Sequence, residues 1–270
     1  MQVAVCGHVE WIEFVRVERV PRQGEIVHAS GSWGEAAGGG GVASVQLARL
    51  AGTCTLFTAF GDDELGRRCH ADLERLGVRV EAALRSEPQR HGFTFVDAKG
   101  ERTITVVGER LGPSGADPLP WEELAGYDAV YFVSGDAAAV RAIRGARVLV
   151  ATARSLAALV EARVPLDALV RSASDAAERY RPGELDPPPR LVVATEGERG
   201  GTYSVEGGEE RRFTAAPLPG PRQDAYGAGD SFAAGLTYAL AKGLALEEAL
   251  PAAAENGAAA LARRGAHGTA

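Results

Sequence analysis

The sequence is poor in cysteine. Its three cysteines, Cys6, Cys54 and Cys69, are odd in number, lie far apart and lack the spacing of metal ligands. They are therefore expected to be reduced thiols, serving as small buried residues in a cytoplasmic protein. The first residues, MQVAVCG, run into strand-like sequence without the basic region and apolar stretch of a signal peptide, which also favours the cytoplasm.

The sequence also lacks long hydrophobic runs and an excess of positive charge. No apolar stretch approaches the length of a membrane span, and the net charge is −7 without a basic cluster. We therefore expect no membrane partner and no nucleic-acid partner. The motifs GxxxxGK[ST], HExxH and CxxC are absent too, which excludes a Walker A loop and the zinc sites that these motifs mark.

What remains is a chain of 270 residues, 46% hydrophobic and 24% charged, which is ordinary for a globular protein and sufficient for one domain over residues 1–270. Short apolar segments alternate with helical patterns, which predicts an α/β fold with a mainly parallel sheet. The predicted core strands are QVAVCG, CTLFTAFG, DAVYFVSG, ARVLVATA, LDALVRSA and RLVVATEG. A hairpin is predicted in GGTYSVEGGEERRFTA, and helix over residues 231–264.

Two segments interrupt this alternation. Residues 9–36 alternate apolar and polar side chains around a turn at Pro21 and Gly24, and residues 90–108 predict two more strands. Hairpins inserted at separate points can meet in space as one small sheet. A lid over a cleft is the natural use of such an appendage.

The stretch DAYGAGDSFAAGL carries the strongest chemical signal. Gly227, Ala228 and Gly229 precede a predicted helix, and the unpaired amides of a helix N-terminus attract anions. Asp230, which follows, is a helix cap in one interpretation. In the other, its carboxylate takes a proton from a substrate hydroxyl while the amides stabilise charge on a transferred phosphoryl group. The clustered glycines favour the second interpretation, an alcohol kinase.

Two further glycine-rich stretches are weaker signals. Gly38 to Gly41 precede a helix predicted to begin near Val42, and they would either let a ligand approach the backbone or form a hinge. Thr195 to Gly201 follow a predicted strand, where an α/β sheet commonly binds its ligand, although an ordinary turn has the same pattern.

Together and in this order, the three clusters resemble the PfkB (ribokinase-like) family of carbohydrate and nucleoside kinases. VERVPRQGEIVHA is similar to the family's first lid segment, GGGGVASVQLARLAG to its first signature and DAYGAGDSFAAGL to its second, DTxGAGD. The resemblance covers nearly the whole chain. It implies a ribokinase-like three-layer α/β/α sandwich with a mainly parallel central sheet and a small β-sheet lid. It also implies ATP and Mg²⁺, often K⁺, and a lid that would pair with its twin in a homodimer.

The resemblance assigns a role to each matching position. Asp230 would be the catalytic base and residues 227–229 the anion hole. The implied nucleotide-binding residues are Thr195, Gly197, Gly200 and Asn256, and the implied substrate-binding residues are Glu10, Gly38, Gly39 and Asp230.

Three departures from the family pattern concern the substrate and the metals. Glu10 stands where Asn is common, so the substrate pocket is rebuilt. The family's NxxE motif, which orders water around Mg²⁺, has its nearest match in SASD, which makes Asp175 the expected acid and Glu178 the substitute. Ala225 replaces Thr beside Asp224, the residue implied for the monovalent cation.

The sequence thus predicts an ATP-dependent kinase that transfers the γ-phosphoryl group to a hydroxyl of a small molecule, a sugar or sugar derivative. Two alternatives stay open. The missing NxxE motif is compatible with a nucleotide or metabolite sensor that has lost efficient catalysis. Trp11 and Ile12 offer apolar surface to a ring, which is compatible with a nucleoside or vitamin acceptor.

Overall fold

A computed structural model describes residues 1–268 of the chain. The strands are β1 Val3–Cys6, β2 Glu10–Arg16, β3 Gly31–Ala37, β4 Cys54–Gly61, β5 Val78–Arg85, β6 His91–Val96, β7 Arg102–Val107, β8 Ala129–Phe132, β9 Val148–Thr152, β10 Ala168–Ser172, β11 Leu191–Thr195, β12 Gly201–Val205 and β13 Arg211–Phe213. The α-helices are α1 Gly38–Ala51, α2 Glu64–Arg75, α3 Ala137–Ile143, α4 Leu156–Ala162, α5 Ala228–Ala241 and α6 Leu246–Leu261.

Nine strands form the central sheet in the order β13-β12-β11-β10-β9-β8-β1-β4-β5. The pairs from β11 to β5 are parallel, and the predicted hairpin adds β12 and β13 as antiparallel strands at one end. The central strands are apolar along their whole length, as in VAVC of β1 and VLVAT of β9, because parallel sheets are covered on both faces.

Helices cover both faces of this sheet. In β1, Val3 and Val5 belong to one apolar core, which also contains side chains of α1, α2, α5 and α6. Ala4 and Cys6 point the other way, into a second core with α3 and α4. Successive side chains of a strand alternate between faces, so one strand serves both cores. The predicted three-layer α/β/α sandwich is confirmed.

The two inserted segments meet as the predicted lid. Its four strands have the order β3-β2-β6-β7, in which β2 pairs with β3 antiparallel and with β6 parallel, and β6 pairs with β7 antiparallel. Strands β3 and β7 are the two edges of this sheet. The homodimer through the lid stays a prediction.

The start of α1 differs from the sequence-based expectation. The helix begins at Gly38 rather than near Val42, so the glycines form its first turn and are not a hinge. Gly38 has a φ of +76°, which favours glycine. A Cβ on Gly40 would lie 2.6 Å from the carbonyl oxygen of His8, so this turn packs directly on the backbone that follows β1.

The predicted C-terminal helical region consists of two helices. Gly243, with a φ of +72°, lies between α5 and α6 and allows the chain to reverse. None of the helices within residues 1–268 is both long and apolar enough to cross a bilayer.

The three cysteines are buried and free, as predicted. Burial raises the pKa of each thiol, because a thiolate would lose its hydration. These cysteines therefore remain protonated and fill space in the core.

One carboxylate connects a core helix to the chain entering the lid. Asp63 caps α2, its Oδ1 accepting a hydrogen bond from the Gly66 amide at 2.8 Å, while its Oδ2 accepts from the Gln89 amide at 2.8 Å. The Gln89 side chain in turn donates to the carbonyl oxygen of Val9 at 2.8 Å. Asp63 thereby fixes the start of the segment that leads into β6.

We expect Asp63→Ala to lower the free energy of unfolding by about 1–2 kcal/mol, because it removes a helix cap and leaves a second amide without its partner. Urea denaturation measures this difference. The neighbouring Asp62 is exposed and its carboxylate lies 3.8 Å from Arg67, so Asp62→Ala is the matched control with an expected change below about 0.5 kcal/mol. Equal losses in the two variants would contradict the assignment.

Candidate active site

A cavity of about 880 Å³ lies between the central sheet and the lid. It opens at the carboxyl ends of the parallel strands, where α/β folds bind their ligands. Residues at or just beyond the ends of β1, β8, β9, β10 and β11 line it: His8, Val133, Thr152, Ser172 and Thr195. Strand β7 of the lid contributes Arg102, Ile104 and Val106.

The first turns of α1 and α5 form one wall of this cavity. Residues 38–39 and 227–229 all line it. Gly227 precedes α5 with a φ of +71°, and a Cβ there would lie 2.7 Å from Val42 of α1. A Cβ on Gly229 would meet no atom within 4 Å, so this glycine faces open space. Because the first amides of a helix have no acceptor within the helix, α5 offers N–H groups to an anion in the cavity.

Asp230 lies in the first turn of α5 and faces the cavity. The cap interpretation is wrong, since Gly227 occupies the cap position and no side chain caps the helix. Among residues 1–268, no group donates a hydrogen bond to the Asp230 carboxylate. Surrounding protein displaces water and raises its pKa to about 6, while the positive charge of Arg102 opposes this rise. The carboxylate is therefore ionised at neutral pH and can still take up a proton.

Glu10 and His8 form a polar cluster at the α1 side of the cavity. Glu10 Oε1 lies 3.0 Å from Arg90 Nε and 3.5 Å from His8 Nε2, and His8 Nδ1 lies 2.9 Å from Ser134 Oγ. Burial, and next the charge of Arg110, hold the pKa of His8 well below its usual value, so the ring is neutral. Burial raises the pKa of Glu10, and Arg90 opposes this. With Gly38 and Gly39 beside it, this cluster can bind an acceptor hydroxyl.

The opposite end of the cavity leads into an apolar pocket of about 290 Å³. Thr195 and Gly197 line both spaces, and Gly200 lines the pocket. Gly200 has a φ of +80°, and a Cβ there would lie 2.2 Å from the carbonyl oxygen of Phe213. The apolar residues of the pocket include Phe213, Ala216, Leu218, Phe232, Ala258 and Leu261. Its size and lining suit a planar ring, with the α5 amides next to it.

The structure does not bring Asn256 to this pocket. Its Oδ1 accepts a hydrogen bond from Gln46 Nε2 of α1 at 2.5 Å, and its side chain packs against Gly235 of α5. The residues of α6 that line the pocket, Ala254, Gly257, Ala258 and Leu261, share the other face of the helix. The expectation for Asn256 is therefore corrected: it joins helices, and small neighbours replace it at the pocket wall.

Asp175 and Glu178 both line the main cavity, and Arg154 contacts both. Arg154 Nη2 lies 2.5 Å from Asp175 Oδ2 and 2.6 Å from Glu178 Oε1. The second oxygen of Glu178 accepts the Ser172 amide at 2.6 Å. Asp175-Ala-Ala-Glu178 has the NxxE spacing with Asp in the first position. The two acids on the cavity wall therefore match the motif here rather than at SASD. The sequence contained this signal three residues beyond the expected match.

Asp224 lies outside the cavity and is fully buried. Its Oδ1 accepts the Tyr226 amide at 2.7 Å and its Oδ2 the Gly265 amide at 3.3 Å. Burial raises the pKa of Asp224, and these two hydrogen bonds oppose the rise. The carboxylate therefore shapes the loop before α5 and ties it to the C-terminal segment.

Several arginines that line the cavity carry no specific signal in the sequence: Arg90, Arg102, Arg110 and Arg154. Arg102 reaches from the lid to the loop before α5, where its Nη1 donates to the carbonyl oxygen of Ala225 at 2.7 Å. The only sequence signal is general, because Lys99 and Lys242 are the only lysines and nearly every basic residue is arginine. Which arginines face the cavity depends on the packing of the lid.

The chain is similar to kinases of one family along its whole length. The model of the pfkB family carbohydrate kinases matches residues 1–140 and 133–270. An ATP-dependent ribose-1-phosphate kinase of Halopiger xanaduensis is 26% identical in an alignment 303 residues long, gaps included, which covers 98% of this chain and 94% of that protein. A ribokinase of Dictyostelium discoideum is 26% identical over 108 residues, 39% of this chain and 34% of that protein.

The crystal structure of a ribokinase from Thermotoga maritima superposes with a TM-score of 0.78 at 19% identity, covering 99% of this chain and 95% of that one. The similarity to this structure concerns the fold, and the family model spans the whole sequence. The chain therefore has a ribokinase-like fold and belongs to the pfkB family of carbohydrate kinases.

Proposed function

We propose that the protein is an ATP-dependent kinase that phosphorylates a hydroxyl group of a sugar or sugar derivative. The observation that carries the proposal is the position of Asp230 beside the first amides of α5, between an apolar pocket and a polar cluster. No group of residues 1–268 donates a hydrogen bond to its carboxylate. Membership of the pfkB family supports it. ATP as the phosphoryl donor accords with the name of the Halopiger relative, an ATP-dependent kinase.

Asp230 is the general base of the proposed reaction. It accepts the proton of the acceptor hydroxyl, whose oxygen forms a bond to the γ-phosphorus. The bond from this phosphorus to the β,γ-bridging oxygen breaks, and its electron pair leaves with ADP. The amides of residues 227–229 stabilise negative charge on the transferred group. Ile104 and Val106 of the lid present apolar surface to the cavity and limit the access of water.

The nucleotide occupies the other half of the cavity. Thr195, Gly197 and Gly200 form the loop that holds it, and the 290 Å³ pocket takes the base. Small residues of α6 suit this role because they leave room for a flat ring. Glu10, Gly38 and Gly39 bind the acceptor at the other end.

The acids of the cavity fit a magnesium ion carried by the nucleotide. No group of three or more potential metal-ligating side chains occurs within residues 1–268. Mg²⁺ is usually held by one or two carboxylates, phosphate oxygens and water, and Asp175 and Glu178 provide such carboxylates on the cavity wall. They would hold the hydrated ion, which when bound neutralises phosphate charge. Arg154 neutralises the same two acids in this structure.

The residues around Asp224 do not fit a monovalent-cation site. Both of its oxygens accept backbone amides, and the carbonyl oxygen of Ala225 accepts a hydrogen bond from Arg102. No step of the proposed reaction therefore involves K⁺.

We expect Asp230→Asn to lower kcat by roughly 10²- to 10⁴-fold while the Kd for ATP stays near the wild-type value, because the amide cannot accept the proton. ADP release measures the rate and calorimetry the affinity. Glu247→Gln is the matched control, since Glu247 also lies in the first turn of a helix but outside the cavity. A wild-type rate in D230N would exclude the assignment. Binding of ATP and acceptors by the wild-type protein without ADP release would favour the sensor.

The pH dependence of turnover offers a second test. The pKa of Asp230 is about 6, so the base is protonated below this pH and kcat/KM should rise through about pH 6 and then level off. Arg102→Gln removes a charge that favours the carboxylate, so the inflection should move to higher pH. A profile that is flat from about pH 5 to 8, or an unmoved inflection in R102Q, would contradict this role.

A further inference from the structure

A second cavity of about 430 Å³ adjoins the main cavity beside the polar cluster of Glu10 and His8, since Ser134, which contacts His8, lines it. Arg110 and Arg154 line both spaces. None of the residues around the second cavity lines the apolar pocket at the nucleotide end. The three spaces therefore follow one another, and Arg110 lies on the side away from the proposed site of the base.

Arg110 has no ionic partner among the described residues, although its neighbours do. No carboxylate within residues 1–268 lies within 4.0 Å of its guanidinium. Arg90 is paired with Glu10, and Arg154 with Asp175 and Glu178. Burial, and next the positive charge of Arg90, lower the pKa of Arg110. Partial desolvation and a second positive group thus oppose its charge, and a bound anion would compensate for both by supplying a counter-charge.

The polar cluster itself leaves one arginine without a counter-charge. Glu10 supplies one negative charge against Arg90 and Arg110, and His8 is neutral. A neutral sugar could accept hydrogen bonds from these guanidiniums, but it would leave the charge of Arg110 without a counter-ion. The two guanidiniums suit a phosphate or carboxylate, whose oxygens match the fork of an arginine side chain.

We propose that the acceptor is an anionic sugar derivative, a sugar phosphate or a sugar acid, whose anionic group binds Arg110 with support from Arg90. The proposal rests on the proposed kinase function and specifies its substrate class. Glu10 then binds a hydroxyl of the same molecule, while another hydroxyl reaches Asp230. The product carries a new phosphate ester in addition to the anionic group that was already present.

ADP release is to be measured with matched pairs of acceptors: a pentose against its 1-phosphate and its 5-phosphate, and a hexose against its aldonic acid. We expect kcat/KM to be at least about tenfold higher for an anionic member than for its neutral partner, as a charge-assisted hydrogen bond implies. The phosphate and acid pairs distinguish the two sources of negative charge. Neutral acceptors that are turned over equally well would overturn the proposal.

Arg110→Gln tests the residue. It should raise KM for the preferred anionic acceptor roughly 10- to 100-fold and leave KM for ATP unchanged, and Arg110→Lys should recover part of the loss because charge is kept without the fork. Arg141→Gln, an exposed arginine on α3 outside the three spaces, is the control and should match the wild type. Equal losses with charged and neutral acceptors would overturn the proposal, and a raised KM for ATP would overturn it by assigning Arg110 to the nucleotide.

Calorimetry with the same acceptors separates this inference from the proposed function. Binding of an anionic sugar that is weakened in R110Q, without ADP release, would exclude the kinase and support the anion site. ADP release with neutral sugars alone would support the kinase and exclude the anion site.

Discussion

The main cavity depends on backbone contacts that only glycine permits. The Gly40 amide donates to the carbonyl oxygen of His8 at 3.0 Å, and a Cβ on Gly40 would lie 2.6 Å from that oxygen. A Cβ on Gly39 would lie 3.0 Å from Asp230 Oδ1, and one on Gly227 would press on Val42. These glycines bring the starts of α1 and α5 together. The same closeness positions the carboxylate of Asp230 beside the helix amides, on the wall of the cavity where the proposed acceptor would bind.

The charges of the cavity divide into paired groups and groups that remain free. Arg154 neutralises two acids, and Arg90 lies beside Glu10. The hydrogen bond from the Ala177 amide, and next the one from Arg154, lower the pKa of Asp175, whereas burial raises the pKa of Glu10 against the charge of Arg90. Within residues 1–268, Asp230 has no ionic partner, and burial raises its pKa to about 6. Among the described residues that line the cavity, Asp230 is thus the carboxylate without an arginine partner, which suits the proposed proton transfer.

Much of the fold could be predicted because its signals are local. The apolar runs of β1 and β9 and the alternation in residues 9–36 follow from the repeat of each element. Asp230 could be found for a similar reason, since GAGD and the following helical pattern are contiguous. Predictions that needed the direction of a side chain were less accurate. Asn256 lies one position before pocket-lining Gly257, and a step of one residue turns a helical side chain by about 100°.

The sequence by itself determined the α/β alternation, the two lid segments and the glycines beside Asp230. Each depends on residues that are neighbours along the chain. Tertiary structure alone decided which arginines line one cavity, namely Arg90, Arg102, Arg110 and Arg154. It also decided that Asp224 accepts hydrogen bonds from backbone amides of the loop before α5 and of the C-terminal segment. These groups come from strands and loops far apart in sequence. Their interactions depend on distance in space, which forms only when the lid packs over the carboxyl ends of the sheet.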